Sequence, residues 1–199
     1  MKLLPTIAFA AFGFASLPAT AATVLTDFTD ADFVTVCSDG AFNEACEVAV
    51  AEIRAGNASS GGEHEVTVRQ PDPNVQGGFG GNNAQRSLTS GEGLALSIQY
   101  SAANRTLDLS LGGISPATLT DVDFGTVDSL LIRNSSRGGG SLTLTDLTLN
   151  GQSIGAITDP GLSYLVVSDF NFATDFTLDG VATFTFGQGD KLRSNLATQ

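Results

Sequence analysis

The sequence predicts an all-β protein: an antiparallel β-sandwich of jelly-roll-like character, with one short helix near the amino terminus. Three observations carry this reading. From Gly93 onward apolar residues alternate with polar ones, as in Leu94, Leu96, Ile98 and again in Leu107, Leu109, Leu111. That period of two puts one side of each run in a core and the other in water. The runs recur at intervals of roughly 8–14 residues, between turns rich in Gly, Asn and Asp, which is the spacing of a sandwich or barrel. Helical periodicity is confined to one segment, too little for alternating strands and helices. A parallel β-helix is the alternative, raised by the Thr-rich stretch from Leu142 to Gly151. It needs a repeat of regular coil length, and none is visible.

The amino end reads as a targeting segment. Met1-Lys2 is a short basic start, Leu3 to Leu17 is largely apolar, Pro18 breaks the run, and Ala19-Thr20-Ala21 has the small-x-small pattern of a signal peptidase site. The apolar run falls short of the roughly 20 residues that span a bilayer. Residues 1–21 are therefore expected to be a bacterial signal peptide and 22–199 a single β-sandwich domain, secreted or on the cell surface. Export gives Cys37 and Cys46, the only 2 cysteines, an oxidising destination, so a disulfide between them is expected.

In the mature chain, Thr23 to Val36 reads as extended. Asn43 to Ala55 is the helical stretch: Phe42, Cys46, Ala49, Val50 and Ile53 recur at three- and four-residue steps. Glu44 and Glu47 suit its amino-terminal dipole, Arg54 its end, and Gly56 its stop. The acidic residues of this stretch read as a solvated face. Glu65 to Arg69 is a short strand, and Pro71 to Asn83 a long Gly-rich loop. Leu94–Tyr100 and Thr106–Leu111 form a hairpin across Ala102-Ala103-Asn104. Val122 with Phe124, Leu130 to Ile132, Leu142 to Leu149, Tyr164 to Val167, Phe172 to Leu178 and Val181 to Phe186 complete the set. Asn150-Gly151 is the strongest turn dipeptide.

Composition narrows the function. The net charge of −12 opposes partners that are polyanions, so nucleic acid is not expected. The 199 residues hold 1 His, 2 Cys and no Trp, so the usual catalytic and metal-binding side chains are scarce. A Ser–His–Asp triad would have to use His64, which reads as a solvated loop residue between Glu63 and Glu65. The Gly-rich Gly77-Gly78-Phe79-Gly80-Gly81 lacks the Lys and Ser/Thr of a phosphate loop. A glycoside hydrolase needs two carboxylates across a cleft, but all 6 Glu lie at or before Glu92, no Trp exists to stack on a sugar ring, and Tyr100 and Tyr164 are the only Tyr. Tyr164 reads as core. No catalytic residue and no organic cofactor is expected. Structural calcium is the one metal considered: it takes oxygen ligands from loop Asp, and Asp27, Asp30, Asp32, Asp121 and Asp123 are the candidates.

The carboxy-terminal half resembles the choice-of-anchor domains of bacterial exported proteins, type W in particular. The matching pieces are Leu94–Tyr100, Asp128-Ser129-Leu130-Leu131-Ile132-Arg133-Asn134, Leu144-Thr145-Asp146-Leu147-Thr148-Leu149-Asn150-Gly151, Tyr164-Leu165-Val166-Val167 and Ser194-Asn195-Leu196-Ala197. The resemblance implies an exported β-rich module joined to the envelope by a carboxy-terminal sorting signal, and implies no reaction. This chain departs from that pattern after Ala197, where Thr198 and Gln199 offer no recognisable anchor. The expected function is a non-enzymatic surface or extracellular-matrix module, with envelope or matrix polysaccharide or protein as partner. The alternative is a polysaccharide-active hydrolase or carbohydrate-binding module using Asp/Glu side chains. Intact-mass analysis of exported protein is expected to find an amino terminus at Ala22 or Thr23 and no free thiol. Retention of Met1, or two titratable thiols, contradicts this.

Overall fold

A computed structural model describes residues 22–29, 31–32, 48–55, 63–71, 79–116, 118–136, 140–158, 161–186 and 196–198. The predicted signal peptide, the rest of the predicted helix at 43–47, and both cysteines lie outside the described residues. Twelve strands lie among the described residues: β1 Thr23–Leu25, β2 Val50–Ala55, β3 Glu63–Pro71, β4 Phe79–Ser87, β5 Gly93–Ser101, β6 Thr106–Leu111, β7 Ser129–Ser136, β8 Ser141–Leu149, β9 Gln152–Ile157, β10 Leu162–Ser168, β11 Phe176–Thr185 and β12 Leu196–Thr198. They form a seven-stranded sheet, ordered β1-β10-β7-β12-β2-β3-β4, and a five-stranded sheet, ordered β6-β5-β11-β8-β9. Every strand pairing is antiparallel. The parallel β-helix alternative is thereby overturned, and the sandwich stands. Among the described residues no helix is long and apolar enough to cross a membrane.

Alternation explains the core. Leu94, Leu96, Leu107, Leu109, Leu111, Leu142, Leu144 and Phe184 are buried on the inner face of the five-stranded sheet, with Ile98 and Phe186 packed against them. Ile53, Val66, Val68, Ile132, Leu165 and Val167 meet them from the seven-stranded sheet. Side chains on a strand point alternately to its two faces, so the intervening Asp108 is exposed and Ser97, Ser110 and Thr143 are partly so. The β5–β6 hairpin pairs Ser101 with Thr106 and closes through Arg105 at φ 53°. Asn150 and Gly151 both take positive φ, 50° and 78°, joining β8 to β9 as the dipeptide predicts.

β8 departs from strict alternation. Leu142 and Leu144 face inward, and so do Leu147 and Leu149. The three-residue step from Leu144 to Leu147 is absorbed by an irregularity against β11, between Asp179 and Val181, with Asp146 at φ 53°. One extra residue resets the register so that both leucine pairs reach the core. Gly180 lies opposite this site. A Cβ there would stand 2.7 Å from Leu147 Cδ2, so the close approach of β8 and β11 requires glycine.

Several sequence expectations need correction. Val122 and Phe124, expected in a short strand, are buried outside any strand, and Ala31–Asp32, within the stretch expected to be extended, is helical. Residues 50–55 of the predicted helix are strand β2, because β3 and β12 pair with both of its edges. Ala49, Ala51 and Ile53 are spaced for a strand as well as for a helix, and tertiary pairing decided. The predicted loop from Pro71 to Asn83 contains the start of β4, an edge strand whose backbone follows β3 closely: a Cβ at Gly81 would lie 2.0 Å from Val68 O. His64 sits within β3, opposite Ala55 and Arg86, rather than in a loop. Val181 to Thr185 and Phe176 to Leu178 are one strand, β11, while Phe172 is a buried turn residue.

Leu109 is 1% exposed, so Leu109→Asp places an unpaired charge in the core and costs on the order of 4 kcal/mol, enough to unfold many domains. Ser110→Asp, on the opposite face, changes stability by about 0.5 kcal/mol or less. Circular-dichroism melts of the two variants compare them, and equal tolerance contradicts the register.

Candidate functional site

Two recesses and one part-buried ion pair are the chemically distinctive places among the described residues. The first recess is an apolar cleft of about 230 Å³. Its rim is formed by Val48 to Ala51 leading into β2 and by Ser129 to Ile132 of β7. Its floor is the inner face of the five-stranded sheet, with Ile98, Leu109 and Leu178. On the outer face of the seven-stranded sheet nearby, Phe28 meets Tyr164 edge-on with ring centroids 5.6 Å apart. Arg133 Nε donates to the Tyr164 hydroxyl at 3.1 Å. Tyr164 is buried, as the sequence reading held, but on the outer face of its sheet. Its register partner is Arg133, whereas the inward neighbour Leu165 pairs with Ile132.

The second recess, about 310 Å³, is polar and lies beside β5 and β6. Asp108 and Asp175 both line it, with Gln99, Asn150 and Thr177. This is where two carboxylates come to one depression, as a glycosidase requires. Both are held in structural bonds. Asp108 accepts from the Thr118 hydroxyl, and Asp175 Oδ1 accepts from Ala102 N–H at 2.7 Å. Asn150 Oδ1 caps Thr177 N–H at 2.7 Å. The aromatic lining residues, Tyr100 and Phe176, are 5% and 4% exposed and turned into the core. Tyr100 packs edge-on to Phe124 at 4.6 Å, and Phe176 contacts Phe172 at 5.7 Å. Neither ring offers a face for a sugar to stack on.

Four of the five calcium candidates lie among the described residues. Asp27 is exposed, and Asp30 lies outside the described residues. Asp32 Oδ2 accepts from the Thr29 hydroxyl at 2.6 Å and from Thr29 N–H at 2.9 Å. Those bonds, the hydroxyl foremost, hold its carboxyl below the ordinary range. Asp121 is exposed at φ 62°. Asp123 Oδ1 accepts from Gly125 N–H at 2.8 Å, and its Oδ2 lies 3.6 Å from Arg105. Among the described residues no three His, Cys, Asp or Glu side chains gather as a metal site.

Glu52 is the residue that sequence reasoning misplaced. Within the predicted helix it belonged to a solvated face. In β2 it is 2% exposed, on the face opposite Ile53, and accepts from Arg69 Nη2 at 2.5 Å. Arg69 belongs to β3, 17 positions further on. No local spacing links the two, so only the strand pairing could have shown it. No protein-family model matches the chain, and no curated protein matches it.

Glu52 is buried while the Arg69 side chain is 25% exposed and can reach water. Glu52→Ala is therefore expected to lose about 1 kcal/mol in denaturant unfolding, and Glu52→Gln, which keeps an acceptor, less. Equal stability of wild type and Glu52→Ala contradicts a structural role for the pair.

Proposed function

We propose that the protein is an exported, non-enzymatic surface or extracellular-matrix module that works by binding. The observation that supports this best is the lining of the polar recess: its two rings, Tyr100 and Phe176, are turned into the core, so a sugar finds no aromatic face beside Asp108 and Asp175. Oδ1 of each carboxylate accepts from a neighbouring protein group, which ties it to the fold. The resemblance to choice-of-anchor domains and the signal-peptide pattern point the same way. A net charge of −12 keeps such a module soluble and repels polyanions.

The rival reading, a polysaccharide hydrolase, rests on the shared recess of Asp108 and Asp175. Reducing-sugar release from bacterial envelope and matrix polysaccharides separates the two. No release above a heat-denatured control is expected. Asp175→Asn is expected to lower the melting temperature, since the bond to Ala102 N–H loses its charge. Hydrolysis by the wild type that Asp108→Asn or Asp175→Asn abolishes, with the fold intact, overturns the proposal.

A further inference from the structure

Asn150-Gly151 is the only Asn-Gly dipeptide in the chain. It forms the two-residue turn between β8 and β9, whose ladder pairs Leu149 with Gln152. Both turn residues are exposed. Their φ values of 50° and 78° are those of a type I′ turn. Two hydrogen bonds tie Asn150 to β11: its N–H donates to Thr177 O at 2.8 Å, and its Oδ1 accepts from Thr177 N–H at 2.7 Å. A Cβ built on Gly151 meets nothing within 4 Å, so the tip of the turn stands clear of neighbouring atoms.

In a type I′ turn the first central residue has ψ near about +30°, which turns the following nitrogen away from its side chain. In a type II′ turn the same residue keeps φ near about +60° and takes ψ near about −120°. That rotation carries the Gly151 nitrogen to the side of Asn150 Cβ, within reach of Cγ. Both turn types close two-residue hairpins. The change is a flip of one peptide plane. It leaves φ of Asn150 and the N–H bond to Thr177 in place. Gly151 passes to negative φ, which glycine does at no steric cost.

We propose that Asn150 is a self-modification site: the Gly151 backbone nitrogen converts its side-chain amide to a carboxylate, reaching it by this flip within the folded hairpin. The steps balance with water alone. Hydroxide takes the Gly151 N–H proton and the nitrogen adds to Cγ. The Cγ–Nδ2 bond then breaks, and ammonia leaves after taking a proton from water, which restores the hydroxide. The product is a five-membered succinimide. Water opens it at Cγ to give aspartate, or at the backbone carbonyl to give isoaspartate, with the chain running through Cγ. The new carboxylate arises in the polar recess, which Asp108 and Asp175 also line. Isoaspartate adds one backbone carbon to a two-residue turn and so breaks its match to the β8–β9 ladder. The proposal is independent of the surface reading.

The test incubates the full chain at mildly alkaline pH, folded in one sample and unfolded in guanidinium chloride in another. Peptide mapping follows the exchange of amide for carboxylate at every Asn and separates isoaspartate from aspartate. In the folded sample Asn150 is expected to react ahead of every other Asn and to give both products. The rate is expected to rise with hydroxide concentration and to stay constant as denaturant is added below the unfolding transition. Asn150→Gln, whose ring would need one more atom, is expected to react at least tenfold more slowly. Four results overturn the proposal. Neither sample is modified at Asn150. Only the unfolded sample is, which makes the turn a shield. The rate in the folded sample climbs with denaturant below the transition, which places the reaction in opened molecules. Or aspartate forms without isoaspartate, which means direct hydrolysis of the side chain.

Discussion

Everything in this molecule depends on burying one face of β11 between two antiparallel neighbours. β11 pairs with β5 from Phe176 to Thr183 and with β8 from Leu178 to Thr185. Its inward residues Phe176, Leu178, Ala182 and Phe184 are all buried. Each full burial of a large apolar side chain contributes roughly 1.5–3 kcal/mol, and the two ladders satisfy the backbone around them. The five-stranded sheet is thereby a rigid floor. The seven-stranded sheet lies over it and carries the less regular features: the part-buried Glu52–Arg69 pair and the outer cluster of Phe28, Tyr164 and Arg133.

The polar recess beside β5 and β6 belongs to the five-stranded sheet, and its polar groups hold turns in place. Asp175 ties Ala102 to the turn before β11, and Asn150 ties the β8–β9 turn to Thr177. The apolar cleft lies between the two sheets, with Val48 to Ala51 and Ser129 to Ile132 at its rim and Ile98, Leu109 and Leu178 at its floor.

Much of the five-stranded sheet was legible in the sequence because β5, β6 and β8 carry their own alternation, whereas β9 buries only Ile154 and Ile157 and was not read, and β11 was read as two runs. Leu94, Leu96 and Ile98 alternate without ambiguity, and Asn150-Gly151 names its turn. The three-residue step from Leu144 to Leu147 was visible as well, though only Gly180 across the ladder shows that it is a bulge. The seven-stranded sheet was less legible. β2 carries apolar residues at spacings that suit helix and strand alike, and its strand state comes from partners distant in the chain. β4 is Gly- and Asn-rich, which reads as loop unless β3 lies beside it. The Glu52–Arg69 pair exists only through pairing between segments, so no local pattern announced it.

The most direct test of this account is the set of cross-strand Hα–Hα nuclear Overhauser effects made by β11. Antiparallel pairing on both edges predicts contacts with β5 and β8 that run in opposite sequence order. They would link the neighbourhood of Leu178 to that of Ile98 and to that of Leu149, and the neighbourhood of Phe184 to that of Leu142. Contacts running in the same sequence order, or contacts on one edge alone, would contradict the central place of β11 and the sandwich built on it.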